Sequence, residues 1–144
     1  ERITNLEMEQ SFMKHMNWPE RINTPYFVHA SQKMIDLMSD STVRGMTISA
    51  PGFYGPQGRV VRQKLAMPDM LERIESWRFG DWKITNFEME GSALAGMAAQ
   101  LGHDAVTVCC AIAHRYLKDA NTDYKPRVAQ LVTLVMDKMA SLKD

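Results

Sequence analysis

Residues 82–102, WKITNFEMEGSALAGMAAQLG, contain a strand-like run that is followed at once by a helix-like run. The first part carries β-branched and aromatic residues, which favour a strand. The second part, residues 91–101, is rich in alanine and other small residues, and Gly102 directly after it is a residue type that commonly ends helices. The segment therefore predicts a short strand joined directly to a helix.

The segments on both sides continue this alternation. Residues 41–51, STVRGMTISAP, predict a strand that ends at Pro51. Residues 104–113, DAVTVCCAIA, form an apolar run without polar alternation, which predicts a strand buried on both faces. Helices are predicted over residues 5–16, 25–38, 68–77 and 124–142. Strands that alternate with helices predict an α/β fold, a layered α/β/α arrangement with a central, largely buried sheet.

Length and composition are those of one globular domain. The chain has 144 residues and shows no internal repeat, low-complexity tract or linker, so residues 1–144 are predicted to form a single unit. The formal net charge is zero, which gives little support to a role in binding nucleic acid or a membrane surface. The longest apolar stretch, near residues 105–113, is far shorter than the ~20 residues that span a bilayer. No secretory signal is readable, although the sequence starts with Glu1.

The cysteines and histidines predict neither a disulfide nor a metal site. Cys109 and Cys110 are neighbours, and neighbours in a strand point to opposite faces, so we expect both to pack in the core. Free cysteines favour a reducing compartment, and we expect a cytoplasmic protein. His15, His29 and His103 have no ligand spacing with Cys, Asp or Glu, so no metal is expected.

Polar clusters follow the ends of all three predicted strands. Ligands of open α/β sheets bind beyond the carboxyl ends of the strands, so we expect these clusters to converge. They are Phe53, Gln57 and Arg59 after the first strand, Glu88, Met89 and Glu90 after the second, and His114 and Arg115 after the third.

The first cluster has the chemistry to hold a small flat ring. Gln57 offers one acceptor and two donors, whereas Arg59 offers donors alone. Together they match a ring that alternates carbonyls with an imide N–H, such as a pyrimidine-dione, and Phe53 provides a flat wall. The alternative is a solvated surface loop in which Arg59 caps a helix.

The other two clusters also allow two interpretations each. A carboxylate of Glu88 or Glu90 that faces a cleft can accept both hydrogen bonds from a vicinal diol such as that of ribose. Alternatively, it stabilises a helix N-terminus by ~0.3–1 kcal/mol. His114 and Arg115 are two cationic groups after a nearly uncharged run, which suits an anion or polar ligand or, alternatively, a surface cap at the strand end.

Three motifs carry a family resemblance: TISAPGFYGPQGR (47–59), ITNFEMEGSALAGMAAQLGH (84–103) and TVCCAIAHR (107–115). In this order and at these separations they resemble the C-terminal half of bacterial uridine phosphorylases, in the nucleoside phosphorylase I family. The resemblance runs from about Ser31 to the end. It implies a pentosyltransferase of pyrimidine salvage that converts uridine and phosphate to uracil and ribose 1-phosphate. Phosphate is a co-substrate, no cofactor is implied, and family members form homo-oligomers built from dimers, hexamers included.

The resemblance also implies roles for individual residues. On the base side, Gln57 and Arg59 would grip the uracil edge, and the other contacts with the base would come from Phe53, Phe87, Ile112, Ala113 and Arg115. On the sugar side, Glu90 would bind the ribose hydroxyls, Met89 would pack under the sugar and Glu88 would support the turn. Arg59, Glu90 and Arg115 would be the catalytic residues.

Departures from the family pattern restrict these implications. Purine-specific relatives carry an aspartate after the strand that ends here at Ala113, and its absence disfavours purine nucleosides. His114 stands where pyrimidine enzymes often have Asn, and Gly91 stands where Ser is usual. The family's phosphate site belongs to an N-terminal half that is not found here, so we expect this segment alone to be inactive.

Two further interpretations stay open on the sequence alone. One is a non-catalytic α/β fragment that binds nucleosides or serves a structural role. The other is a related phosphorylase that acts on thymidine or deoxyuridine.

Overall fold

The computed structural model describes residues 4–114, 119–120 and 122–142, with backbone alone at 119–120. This part of the chain contains five α-helices and four short strands. The helices are α1 (Leu6–Met16), α2 (Gln32–Met38), α3 (Met70–Ser76), α4 (Gly91–Leu101) and α5 (Lys125–Ala140). The strands are β1 (Met46–Ser49), β2 (Ile84–Glu88), β3 (Ala113–His114) and β4 (Asp119–Ala120). The predicted α/β class is confirmed.

Two small sheets are present in the described part. Strands β1 and β2 pair in parallel, with Met46 opposite Ile84 and Ser49 opposite Glu88. Helix α3 lies between them in the chain, as a parallel connection requires. Strands β3 and β4 pair antiparallel, with His114 opposite Asp119.

The buried core lies between helices α1 and α3. Its members are Met8, Phe12, Met16, Met70, Ile74 and Trp77. The rings of Phe12 and Trp77 meet edge to face with centroids 5.3 Å apart, a favourable aromatic geometry. Side chains of β1 and β2 pack against this cluster and are partly buried, so the core supports the parallel strand pair from one side.

Helix α2 starts later than the sequence predicts. The prediction began it at Pro25, whereas the structure begins it at Gln32, with the Ser31 hydroxyl accepting a hydrogen bond from the Met34 amide at 3.4 Å. The reason lies at Phe27, whose backbone N–H donates to Glu9 and whose carbonyl accepts from Asn5. These tertiary bonds hold residues before Ser31 in an extended path.

The prediction of a buried strand over residues 104–113 is wrong. Residues 103–112 have no regular secondary structure, and within the predicted range Ala113 alone is assigned to a strand, β3. An extended segment becomes a strand only where a neighbouring backbone completes the ladder. In the described part, β1 and β2 pair with each other.

The expected core packing of the cysteines is also not observed. Cys109 is exposed, and Cys110 is half-buried. Both are free thiols.

Among the residues that the structure describes, no helix combines the length and apolar content needed to cross a bilayer.

Candidate functional site

The carboxyl ends of β1 and β2 lie side by side. Ser49 and Glu88 are the last residues of their strands and face each other in register. The next amide along, that of Ala50, donates to the Glu88 carbonyl at 2.8 Å. Because both strands end at one edge, the loop after β1 and the turn after β2 leave the sheet together. The first two predicted clusters therefore follow strands that end at one edge of the sheet.

Arg59, Gln57 and Phe53 form a compact unit in the loop after β1. The guanidinium carbon of Arg59 lies 3.5 Å from the centre of the Phe53 ring, which is a close cation–π contact. Its Nη1 donates to the Phe53 carbonyl and, at 3.0 Å, to the Gln57 side-chain oxygen. Gln57 is buried, whereas Phe53 is half-exposed. The guanidinium is therefore held at the surface by a buried amide and an aromatic ring.

The backbone of this loop fixes that unit in place. A short 3₁₀ turn, Gly55–Gln57, is followed by Gly58 with a φ of 77°, a conformation that favours glycine. The amides of Gln57 and Arg59 both donate to the Tyr54 carbonyl at 3.0 Å. A Cβ at Gly58 would lie 2.7 Å from Leu71, so a side chain there is excluded by space as well.

Glu88 closes the turn after β2. Its carboxylate accepts a hydrogen bond from the Ser49 hydroxyl, and its Oε2 accepts from the amides of Glu90 at 2.7 Å and Gly91 at 2.5 Å. Burial alone raises the pKa of Glu88, but the hydrogen bonds from Ser49 and the backbone amides outweigh it, so the pKa lies below its ordinary value. Glu88 is held as a carboxylate that caps α4.

The side chains of Glu90 and Met89 take no part in this hydrogen-bond network. Glu90 occupies the N-cap position of α4, and its side chain makes no capping hydrogen bond. Both residues are exposed, Met89 at 41%. Phe87, by contrast, packs against the core between α1 and α3. The turn therefore presents one carboxylate and one thioether to solvent, at the edge of the sheet where the loop after β1 also begins.

The third predicted cluster does not arrive on a parallel strand. Ile112, Ala113 and His114 are exposed, the last two in the β3–β4 pair, and Arg115 lies outside the described residues. We expected His114 to reach the other two clusters on a strand parallel to β1 and β2. In the described part of the chain, His114 lies instead in the antiparallel β3–β4 pair.

The path of residues 105–112 explains this difference. The Thr107 hydroxyl would be 2.5 Å from a Cβ at Gly91, beyond the carboxyl end of β2. Two residues later, Cys109 already interacts with Asn86 inside β2. That order of contacts is opposite to the order in a parallel strand.

Two residues at the site were not singled out from the sequence. Ser49 bonds Glu88 and accepts from the Ser92 amide at 2.7 Å. Thr107 lies against Gly91 so closely that a side chain there would collide with it. The one available signal was that Ser49 is the last polar residue before the strand-ending Pro51; nothing local indicated Thr107.

A cleft of about 1050 Å³ lies beside the site and is lined by residues that include Ser49, Asn86, Gly91 and Cys109. Partial desolvation raises the pKa of Cys109, and the negative charge of Glu88 adds to this rise, so the thiol is a poor nucleophile. Phe53, Arg59 and Glu90 do not line it. A smaller cavity of about 440 Å³ lies by the far end of α4, near His103.

No group of three or more His, Cys, Asp or Glu side chains within the described ranges has the arrangement needed to hold a metal ion.

Comparison with known proteins identifies the family. The family model described as the Phosphorylase superfamily matches residues 6–142. Searches of the curated proteins and of the solved structures gave no match. The match of the family model covers nearly the whole chain, including both clusters at the sheet edge. The chain belongs to the phosphorylase superfamily.

Proposed function

We propose that the chain is the nucleoside-binding part of a uridine phosphorylase. Membership of the superfamily supports phosphorylase activity on nucleosides, with a nucleoside and phosphate as substrates. The choice of uridine rests on the three sequence motifs and on the chemistry of the sheet edge. One observation carries the proposal: the parallel pairing that puts Ser49 opposite Glu88 starts the loop that carries Arg59 and the turn that carries Glu90 at one edge of the sheet.

The base would be read by the loop after β1. Arg59 uses Nη1 for the Phe53 carbonyl and the Gln57 side chain. Its Nη2 and Nε donate to no other group among the described residues, so they remain for a ligand carbonyl. A pyrimidine-dione presents carbonyls at its edge, and a guanidinium held by a ring and an amide loses little freedom when it binds one.

The sugar would be held by the turn after β2. The Glu90 carboxylate is exposed and accepts hydrogen bonds, so it suits the two hydroxyls of ribose. Met89 provides an apolar surface of the kind that a sugar ring covers. The carboxylate of Glu88 is already fully engaged, and its role in this proposal is to support Glu90.

These residues suit the charges that develop during phosphorolysis. The bond between C1′ and the ring nitrogen breaks, its electron pair leaves with the base, and a phosphate oxygen forms the new bond to C1′. Positive charge grows on the sugar, near Glu90, and negative charge grows on the pyrimidine, near Arg59. Prearranged groups of this kind lower the barrier. The base finally takes a proton and leaves as uracil.

Substrate choice follows from what the third cluster lacks. The resemblance implies that purine-specific relatives carry an aspartate at the position that His114 occupies here, at the end of β3. The histidine lacks the carboxyl group that would interact with the purine ring nitrogen. We therefore favour pyrimidine over purine nucleosides, and uridine over thymidine or deoxyuridine because Glu90 suits two hydroxyls.

Assembly and location are part of the proposal. Helix α4 exposes Leu94, Met97 and Leu101, all more than half exposed and spaced along one face. An apolar face of this kind supports association, and we propose a homo-oligomer built from dimers. The free thiols of Cys109 and Cys110 support a reducing, cytoplasmic location.

The test measures uracil release from uridine, with and without phosphate, by the protein isolated from its natural source. In parallel, calorimetry measures uridine binding by the 144-residue chain. We expect release that requires phosphate, together with uridine binding by the chain. Binding without release by the natural protein would favour the non-catalytic interpretation, and the absence of both would overturn the proposal.

A further inference from the structure

Helix α4 begins with a cap that comes from outside the helix. Its first amides are satisfied by two side chains of the strand ends: Glu88 accepts from Glu90 and Gly91, and the Ser49 hydroxyl accepts from Ser92. Helix starts usually leave such amides to the side chain of the N-cap residue or to water. Here three successive amides are held by residues of β1 and β2.

Because of this cap, the side chain of the N-cap residue, Glu90, is not needed to hold the first amides of α4. Glu90 stands where a side chain normally folds back onto the next amides, and it makes no such bond. Its carboxylate forms no hydrogen bond or ion pair with another described residue. The backbone of Glu90 is nevertheless fixed on both sides, because its amide donates to Glu88 and its carbonyl accepts from Leu94 at 3.1 Å. The result is a rigid backbone that carries a carboxylate available for a ligand.

Ser49 is the residue that joins the two halves of this cap. Its hydroxyl donates to Glu88 and accepts from Ser92, so one oxygen ties β1 both to the end of β2 and to the start of α4. Without that hydroxyl, Glu88 loses the donor that orients it and Ser92 loses its acceptor. Glu88 would keep its two backbone amides, so α4 would persist while the direction of Glu90 became less defined.

We infer that Ser49 is a positioning residue for ribose: it orients Glu88 and the start of α4 so that the Glu90 carboxylate is kept out of the helix cap and aimed at the sugar diol. This inference rests on the proposed function. The inference goes beyond the proposed function because it assigns the selectivity for ribose over 2′-deoxyribose to Ser49, a residue that would touch neither sugar nor base.

The test compares the chain with its Ser49→Ala and Ser49→Thr variants. Calorimetry measures the dissociation constants of uridine, 2′-deoxyuridine and uracil. We expect the preference of Ser49→Ala for uridine over 2′-deoxyuridine to fall by about three- to tenfold, the value of one hydrogen bond. Uracil has no sugar, so its affinity should stay unchanged. Ser49→Thr keeps the hydroxyl and should restore the preference.

Thr47→Ala is the matched control. Thr47 lies on the same strand, and its hydroxyl accepts from the Asn86 side chain at 3.0 Å, so the variant also removes a hydroxyl that joins β1 to β2. The hydrogen bonds of the Thr47 hydroxyl in the described part go to Asn86 and not to Glu88 or α4. Amide hydrogen exchange adds a readout that is independent of ligands: Glu90, Gly91 and Ser92 should exchange faster in Ser49→Ala and at the original rate in Thr47→Ala.

The outcomes separate this inference from the proposed function. A chain that binds uridine but keeps the same preference in Ser49→Ala overturns the role of Ser49 and leaves the proposed function standing. An equal loss of uracil and uridine affinity also overturns it, because it indicates general damage to the site. A chain that binds neither uridine nor uracil contradicts the proposed function itself and removes this role with it.

Discussion

Ser49 and Glu88 lie 39 positions apart in sequence and end two parallel strands. The Ser49 hydroxyl donates a hydrogen bond to the Glu88 carboxylate. That contact fixes the edge of the sheet from which both candidate binding segments depart. It also explains why two nearby carboxylates differ in role. The carboxylate of Glu88 accepts hydrogen bonds from the protein itself, whereas that of Glu90 is available for a ligand.

In the natural protein, which we propose also supplies the phosphate site, Arg59→Ala should reduce phosphorolysis without unfolding the protein. The guanidinium is expected to stabilise negative charge on the departing base, and loss of one such donor typically lowers kcat by about 10²–10³-fold. Steady-state kinetics with uridine and phosphate, alongside circular dichroism, would measure this. Arg62→Ala removes an exposed cation of the same loop and is the control. Equal activity of the two variants would contradict the role of Arg59.

Gly91→Ala should destabilise the fold, whereas Gly96→Ala should not. A Cβ at Gly91 would lie 2.5 Å from Thr107, but one at Gly96 meets nothing closer than 3.7 Å. We expect a loss of about 1–3 kcal/mol at Gly91 from overpacking. At Gly96 we expect a gain of up to about 1 kcal/mol from helix propensity. Urea unfolding measures both, and Thr107→Ala should partly rescue Gly91→Ala; similar values at the two glycines would refute the close contact.

The stability of the protein should depend on Glu88 in acid. The pKa of Glu88 is lowered in the folded state, so the unfolded chain takes up the proton first as the pH falls. The stabilisation by Glu88 is complete above its ordinary pKa of about 4.3 and is lost as the pH falls through the lower, folded value. Urea midpoints from pH 7 to pH 3 should therefore fall more steeply in the wild type than in Glu88→Gln. Glu75→Gln, an exposed carboxylate of α3, should follow the wild type.

Inosine should be a poor substrate. No carboxylate stands at the position of His114, where purine-specific relatives place an aspartate. Assays of the natural protein that compare the kcat/KM values of uridine and inosine measure the preference, because we expect the 144-residue chain alone to be inactive. Comparable values would place the chain with the purine enzymes of its superfamily and refute the pyrimidine assignment.

The elements with strong local signals were predictable from the sequence. Strand β2 and helix α4 follow from β-branched residues, a run of small residues and a final glycine, and Gly102 indeed ends the helix with a φ of 74°. The grouping of Phe53, Gln57 and Arg59 in one loop also followed from their short spacing. Each of these features depends on neighbours in the chain.

Features that depend on distant partners were not predictable. Phe27 lies outside α2 because Asn5 and Glu9 bind its backbone. Residues 104–113 have the composition of a buried strand, yet no adjacent strand completes a ladder with residues 105–112 among the described residues. A serine at a strand end is common, so the sequence did not single out Ser49. Its role becomes visible only from its hydrogen bonds to Glu88 and Ser92, which are distant in sequence.

The most direct test of the central claim is an NMR titration of the isotope-labelled chain with uridine. The account predicts that the amide signals of Gln57, Arg59, Met89 and Glu90 shift together along one binding curve, because one ligand contacts both the loop after β1 and the turn after β2. Shifts confined to residues that line the large cleft, or to only one of the two segments, would contradict a nucleoside site at this edge of the sheet.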